Sequence, residues 1–194
     1  MQMERQAFYE PTELLRAVQN KIQETMKVGE TIDYLTFVPD GEPTLDVNLG
    51  KEIRLLKPLG IPIALISNGS LIWQKEVRQG LMEADWVSLK MDAVTEAVWR
   101  RIDRPHKQLN LTSILKGALD FARSFQGRLM TETMLVKGVN DTEGHISQVA
   151  DFLSQLKPAT AYLAISTRPP AEKWAQPPEE NTINRAYQIL NEKV

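Results

Sequence analysis

Between Ile32 and Leu45 the chain reads IDYLTFVPDGEPTL, a β-rich run that stops at Gly-Glu-Pro just before an amphipathic helix pattern. This one segment restricts the fold more than any other. A strand that ends in a polar turn and feeds a helix is the repeating unit of α/β architectures, and in a barrel that end of the strand carries the chemistry. Glycine lets a ligand approach the backbone. Pro43 biases Glu42 toward an extended conformation, which would leave the Glu42 carbonyl free for a ligand ammonium.

The same alternation runs along the whole chain. Leu15, Val18, Ile22 and Met26 mark a helix over Pro11–Val28, with proline at its first turn. Strands are expected at Ile32–Val38, Pro62–Ser67, Trp86–Met91, Leu129–Val136 and Thr160–Ile165. Between them lie helices carrying Leu49, Ile53 and Leu56 (capped by Asp46), Leu71–Gln79, Leu111 through Phe125, Ile146 through Leu156, and Glu179–Leu190. Gly127 reads as a helix stop. Asn140 and Glu143 have capping-box spacing. Strands alternating with helices imply a mostly parallel sheet, which right-handed crossovers curl into a barrel or part of one. There is no internal repeat. The one linker-like stretch is Arg168–Pro178, with four prolines.

In a parallel sheet the carboxyl ends of the strands meet at one edge, where ligands bind. Those ends read Asp40-Gly41-Glu42-Pro43, Ser67-Asn68-Gly69, Lys90-Met91-Asp92, Lys137-Gly138 and Ser166-Thr167-Arg168. Such a ring suits a zwitterionic small molecule, although strand ends are also polar simply because they meet solvent. Strand parity puts Ser88, Lys90 and Asp92 on one face and Val87, Leu89 and Met91 on the other, which should pack on helices. The same parity lets Glu132 point inward.

Composition excludes several classes. The chain has 194 residues, a net charge of −2 and no cysteine, so it forms no disulfide and offers no thiolate to a metal. His106 and His145 are the only histidines and lie far apart in sequence, which argues against a histidine metal site. No apolar run approaches the roughly 20 residues of a membrane span, and the first residues lack the apolar core of a secretory signal. One domain in the cytoplasm is the expectation. The single basic cluster, Arg100, Arg101, Arg104, His106 and Lys107 around Trp99, reads either as an RNA contact or as a solvated loop between helices.

Six segments, FVPDGEPTL, ISNGSL, VSLKMDA, RRIDRPH, TETMLVKGVND and STRPPAEKW, occur in this order. Together they resemble the iron–sulfur oxidoreductase group of radical S-adenosylmethionine (SAM) proteins, relatives of the wyosine-base tRNA enzymes. The resemblance covers nearly all of residues 1–194. It implies a partial (β/α)6 barrel in which a CxxxCxxC loop after the first strand binds three irons of a [4Fe–4S] cluster. SAM chelates the fourth iron and is cleaved to methionine and a 5′-deoxyadenosyl radical, which abstracts a substrate hydrogen. By position, Gly41, Glu42 and Pro43 would contact the methionine amino group. Ser67 and Asn68 would lie near the ribose or carboxylate, Lys90 and Asp92 would line the cavity, and Arg168 would close it.

The departure is the missing cysteines, since thiolates hold such clusters. Relative to the pattern, the first strand and the cluster loop are missing, and either truncation or evolutionary loss accounts for that. Three readings follow. The chain is the SAM-binding barrel portion of a radical SAM enzyme, inactive as given and without a cluster. It is a non-catalytic barrel that binds a ligand or a partner. Or it is a wyosine-type tRNA-modifying enzyme, with Arg100, Arg101, Arg104 and Lys107 as the RNA contact. A barrel lacking its first strand would also leave the Ile32–Val38 edge open to pairing with a second copy. The substrate is not legible from these residues.

Overall fold

Sequential βα units produce a sheet wound in one direction. The structure is a computed structural model and describes residues 4–38, 41–167, 169–170 and 172–194. Among these, five parallel strands lie in the order of the sequence: β1 (Leu35–Phe37), β2 (Ile63–Ser67), β3 (Trp86–Lys90), β4 (Arg128–Leu135) and β5 (Thr160–Ile165). Helix α1 (Pro11–Lys27) precedes β1. The connections and the end of the chain carry α2 (Leu49–Leu56), α3 (Lys75–Leu81), α4 (Glu96–Ile102), α5 (Leu111–Ser124), α6 (Glu143–Leu156) and α7 (Glu180–Lys193). β1 forms one edge of the sheet and is only three residues long.

Register separates the two faces, because partners in parallel strands point the same way. Leu65, Val87 and Leu129 are aligned and belong to the apolar core shared with the helices. The other face carries Ile66 and Ser88, then Lys90, Glu132 and Tyr162. It is partly open: Ile66 is 41 % and Tyr162 49 % exposed, and Glu132 is exposed as well. Ser88 and Lys90 therefore stand opposite Val87 and Leu89, as parity requires. Glu132 shares the open face with Lys90, its register partner.

Several local expectations give way to longer-range contacts. Asn140 does not cap α6; Thr142 does, its hydroxyl accepting from the His145 amide at 3.3 Å. Asn140 is buried. Its carbonyl oxygen accepts from Val136 N at 2.8 Å, and its amide donates to Asp92 O at 3.0 Å and Met134 O at 2.8 Å. The side chain thus binds the loop after β3 to the end of β4. Asp46 does not cap α2 either. Its carboxylate accepts from Asn48 N at 2.7 Å and Phe8 N at 3.2 Å, tying the amino-terminal segment to the loop before the helix. Gly127 serves packing rather than helix termination, since a Cβ there would stand 2.5 Å from the Phe125 ring and 2.6 Å from Asp85 O. The helix expected over Leu71–Gln79 begins later, at Lys75. The carbonyls of Ile72 and Trp73, ahead of it, accept from Arg78 at 2.9 and 2.8 Å. α4 occupies part of what read as a basic loop.

Replacing Asn140 removes three hydrogen bonds at once, from Val136 N and to Asp92 O and Met134 O. Asn140→Ala should cost at least about 2 kcal/mol in urea unfolding, against about 1 kcal/mol for the helix cap Thr142→Ala. Equal costs would contradict the assignment.

Candidate functional site

The strand ends of β1 and β2 are joined by one carboxylate. Glu42 has an extended backbone (φ −139°, ψ 115°), followed by a 3-10 turn over Pro43–Leu45. Its Oε1 accepts from Thr44 N at 3.1 Å, Thr44 Oγ1 at 2.7 Å and Ser67 Oγ at 2.7 Å, and its Oε2 accepts from Asn68 N at 2.7 Å. The Glu42 carbonyl is also engaged, accepting from Leu45 N at 3.1 Å, so the expectation of a free carbonyl there is corrected. Glu42 acts as a clamp between two loops. Ser67 completes it: the hydroxyl that donates to Glu42 also accepts from Gly69 N at 3.0 Å. Gly69 turns the chain with φ +70°, a left-handed conformation that suits glycine.

Gly41 stands beside the clamp with open space around it. A Cβ built there meets nothing within 4 Å. A cavity of about 620 Å³ opens next to it, walled by Phe8, Tyr9, Phe37 and Leu49 and reaching Asn68 and Ser70. A second cavity of about 270 Å³ shares Asn68 and Ser70 and extends over the end of β3, where Lys90, Asp92 and Asp103 line it. The two spaces flank the carboxyl edge of β1–β3, and the larger lies within the size range of ligand sites.

Lys90 sits between two carboxylates. It forms an ion pair with Asp92, and its Nζ donates to Asp103 Oδ1 at 3.1 Å. Asp92 is buried, and Met134 N donates to its Oδ1 at 2.8 Å. Burial pushes the Asp92 carboxyl upward against the pull of Lys90, and Asp103 adds to the rise. Burial alone would lower Lys90, but Asp92 and Asp103 outweigh it and hold the ammonium well above its ordinary range. Behind them, His145 Nε2 faces Asp92 O at 3.3 Å, and burial lowers this histidine.

Sequence reasoning missed Asp103 and Glu52. Asp103 follows α4 inside the RRIDRPH segment, where the neighbouring arginines dominated. Glu52 lies in α2 between core positions and is 2 % exposed; its Oε1 has no hydrogen-bond partner among the described residues. It lines the larger cavity. Burial first, then the nearby Asp46, pushes its carboxyl up to about 7. Of the expected site residues, Gly41, Glu42, Pro43 and Asn68 line the larger cavity, Asn68, Lys90 and Asp92 the smaller, and Ser67 serves the clamp. Arg168 lies outside the described residues.

The basic cluster is largely paired within the fold. Arg100 meets Glu96 at 2.6 Å, Arg104 meets Glu172 at 2.5 Å, and Arg101 lies 5.8 Å from the centre of the Trp174 ring. Among the described residues, no three His, Cys, Asp or Glu side chains are grouped to hold a metal ion, and no helix is long and apolar enough to cross a membrane.

No family model matches the chain. It is 45 % identical over 190 residues to the UPF0026 protein MJ1312 of Methanocaldococcus jannaschii, covering 98 % of this chain and 59 % of that protein. Two solved structures align over nearly all of it. One is TYW1 with a lysine–pyruvate adduct bound, at TM-score 0.72 and 21 % identity, covering 98 % of this chain and 65 % of the other. The second is a radical SAM methyltransferase from Sphaerobacter thermophilus, at TM-score 0.69 and 16 % identity, covering 95 % and 55 %. The fold is that of a radical SAM domain. The chain spans between half and three fifths of the length of the UPF0026 proteins it matches. A [4Fe–4S] cluster does not fit the residues present in this radical SAM fold, because none of the 194 is a cysteine. The donor set at this edge is the exposed backbone at Gly41, the polar Asn68 between the cavities, and Lys90 paired to Asp92 and Asp103.

Glu52 gives this region a pH signature. A carboxyl raised from 4.5 to about 7 binds its proton more tightly in the folded state, so its stabilisation is present in acid. It is lost as pH rises from about 4.5 through about 7. The loss should be about 3 to 3.5 kcal/mol. Glu52→Gln should remove it, making the variant the more stable protein at pH 8. Parallel stability-against-pH curves for parent and variant would contradict the assignment.

Proposed function

We propose that these 194 residues are the SAM-binding part of a radical SAM iron–sulfur oxidoreductase. In this reading they form a segment of a (β/α)6 barrel and by themselves bind SAM without generating the 5′-deoxyadenosyl radical. The radical-forming step needs a cluster, and its thiolates would have to come from outside this sequence. What this chain's own residues do is bind and orient. The Gly41 backbone approaches the methionine amino group. Asn68 spans the two cavities beside it. Lys90 takes the anionic end of the ligand. Glu42 and Ser67 hold the loops that carry these groups and do not themselves bind the ligand through their side chains.

The observation that carries this reading is the open space at Gly41, held in place by the Glu42 clamp at the strand edge. The open, partly apolar face of the sheet, with Ile66, Glu132 and Tyr162, is where a substrate would meet the bound SAM. The lysine–pyruvate chemistry of TYW1 does not transfer to Lys90. An amine must shed its proton to attack a carbonyl, and two carboxylates keep Lys90 charged.

Without cluster chelation, SAM should bind this chain only in the high micromolar to millimolar range, roughly 4–6 kcal/mol. Gly41→Ala tests the site cleanly, because a Cβ there meets no protein atom within 4 Å and a ligand resting on the Gly41 backbone would clash with it. Calorimetric titration should show at least about a tenfold loss of SAM affinity with an unchanged melting temperature. Unchanged affinity would exclude Gly41 from the site.

A further inference from the structure

Lys90 reaches the ligand cavity with its charge already spent. On its buried side stands Asp92, whose side chain is wholly inaccessible and fixed by the Met134 amide. On its cavity side stands Asp103, whose side chain keeps 23 % of its surface exposed. Asp103 is the first residue beyond α4. Its own amide donates to Trp99 O at 2.9 Å, which fixes the backbone and leaves the carboxylate to reach across to Lys90. The next residue, Arg104, takes a left-handed φ of 45° and turns its side chain away to Glu172. Lys90 with two carboxylates carries a net −1, a poor reception for an incoming anion.

Lys90 keeps 30 % of its side-chain surface exposed, so an anionic group entering the cavity meets it beside Asp103, the accessible one of its two carboxylates, while the Asp92 side chain is wholly inaccessible. We propose that Asp103 is a positioning residue that stands in for the ligand's carboxylate: it holds Lys90 in place and is exchanged for that carboxylate on binding. This rests on the SAM-binding reading above. The exchange replaces one charge-assisted hydrogen bond by another, so Lys90 is never left unpaired beside the buried Asp92. It also makes the site selective. A ligand lacking the anion leaves Asp103 in place, and a ligand carrying it must compete with a tethered carboxylate at high effective concentration.

The test compares two ligands that share the adenosine thioether. S-adenosylhomocysteine carries a carboxylate; 5′-methylthioadenosine does not. Both are titrated calorimetrically into the parent chain, Asp103→Asn and Asp103→Ser, with melting curves to confirm the fold. Removing the competitor should strengthen S-adenosylhomocysteine binding about tenfold. Binding of 5′-methylthioadenosine should change by less than about twofold, a change in the affinity ratio that a merely structural role for Asp103 would not produce. If both ligands bind and the ratio is the same in all three proteins, the exchange is refuted while the SAM site stands. If both ligands weaken together, Asp103 is structural and the proposal falls. If neither ligand binds any of the three, the SAM-binding reading fails and takes the exchange with it.

Discussion

Everything at the ligand edge depends on the Glu42 carboxylate. β1 is a three-residue edge strand, and three residues of ladder on one side hold a strand weakly. Glu42 adds a second attachment by accepting hydrogen bonds from Thr44, Ser67 and Asn68, which brings the β1 and β2 loops into one unit. A carboxylate that accepts two backbone amides and two hydroxyls is well satisfied, and such charge-assisted bonds are about twice as strong as neutral ones. With its side chain committed, Glu42 leaves recognition to the backbone beside it. This is why an open Gly41 matters, and why the following Pro43, which fixes the extended backbone, belongs to the same device.

The second corner of the site is electrostatic. Lys90, Asp92 and Asp103 form a triad in which the central cation is held by one fixed and one accessible carboxylate. Asn140 supports it from behind by donating to the Asp92 carbonyl, and His145 faces the same oxygen. The two corners differ in kind. The Glu42 corner is a saturated clamp, while the Lys90 corner keeps one exchangeable partner and so retains the freedom to respond to a ligand.

Most of the fold was legible from periodicity, because strand and helix alternate and each unit packs against its neighbour in sequence. β5 has the expected bounds, and the others differ by a few residues. What escaped depended on distant contacts. Asn140 has perfect local spacing for a cap, yet Asp92 in the loop after β3 and Met134 and Val136 at the end of β4 offered it three partners, and tertiary bonding won over capping. Asp46 was diverted to the Phe8 amide by an amino-terminal segment whose pairing with Leu45–Val47 no local pattern announces. α4 was hidden by its charged composition, and Asp103 with it. The residues read from the ends of β1, β2 and β3 lie at or beside two neighbouring cavities, but their tasks were not readable. Nothing in the string GEP says that the glutamate faces the next loop rather than a ligand.

In the proposed site the Glu42 clamp shapes the ligand edge and does not itself contact the ligand. Amide hydrogen exchange at Thr44 and Asn68, measured on parent and Glu42→Gln with SAM affinity determined on the same samples, tests it most directly. Both amides should lose protection together and SAM affinity should fall with them, while amides in β3 and β4 keep their protection. Lost protection at Thr44 and Asn68 with SAM affinity unchanged would contradict it.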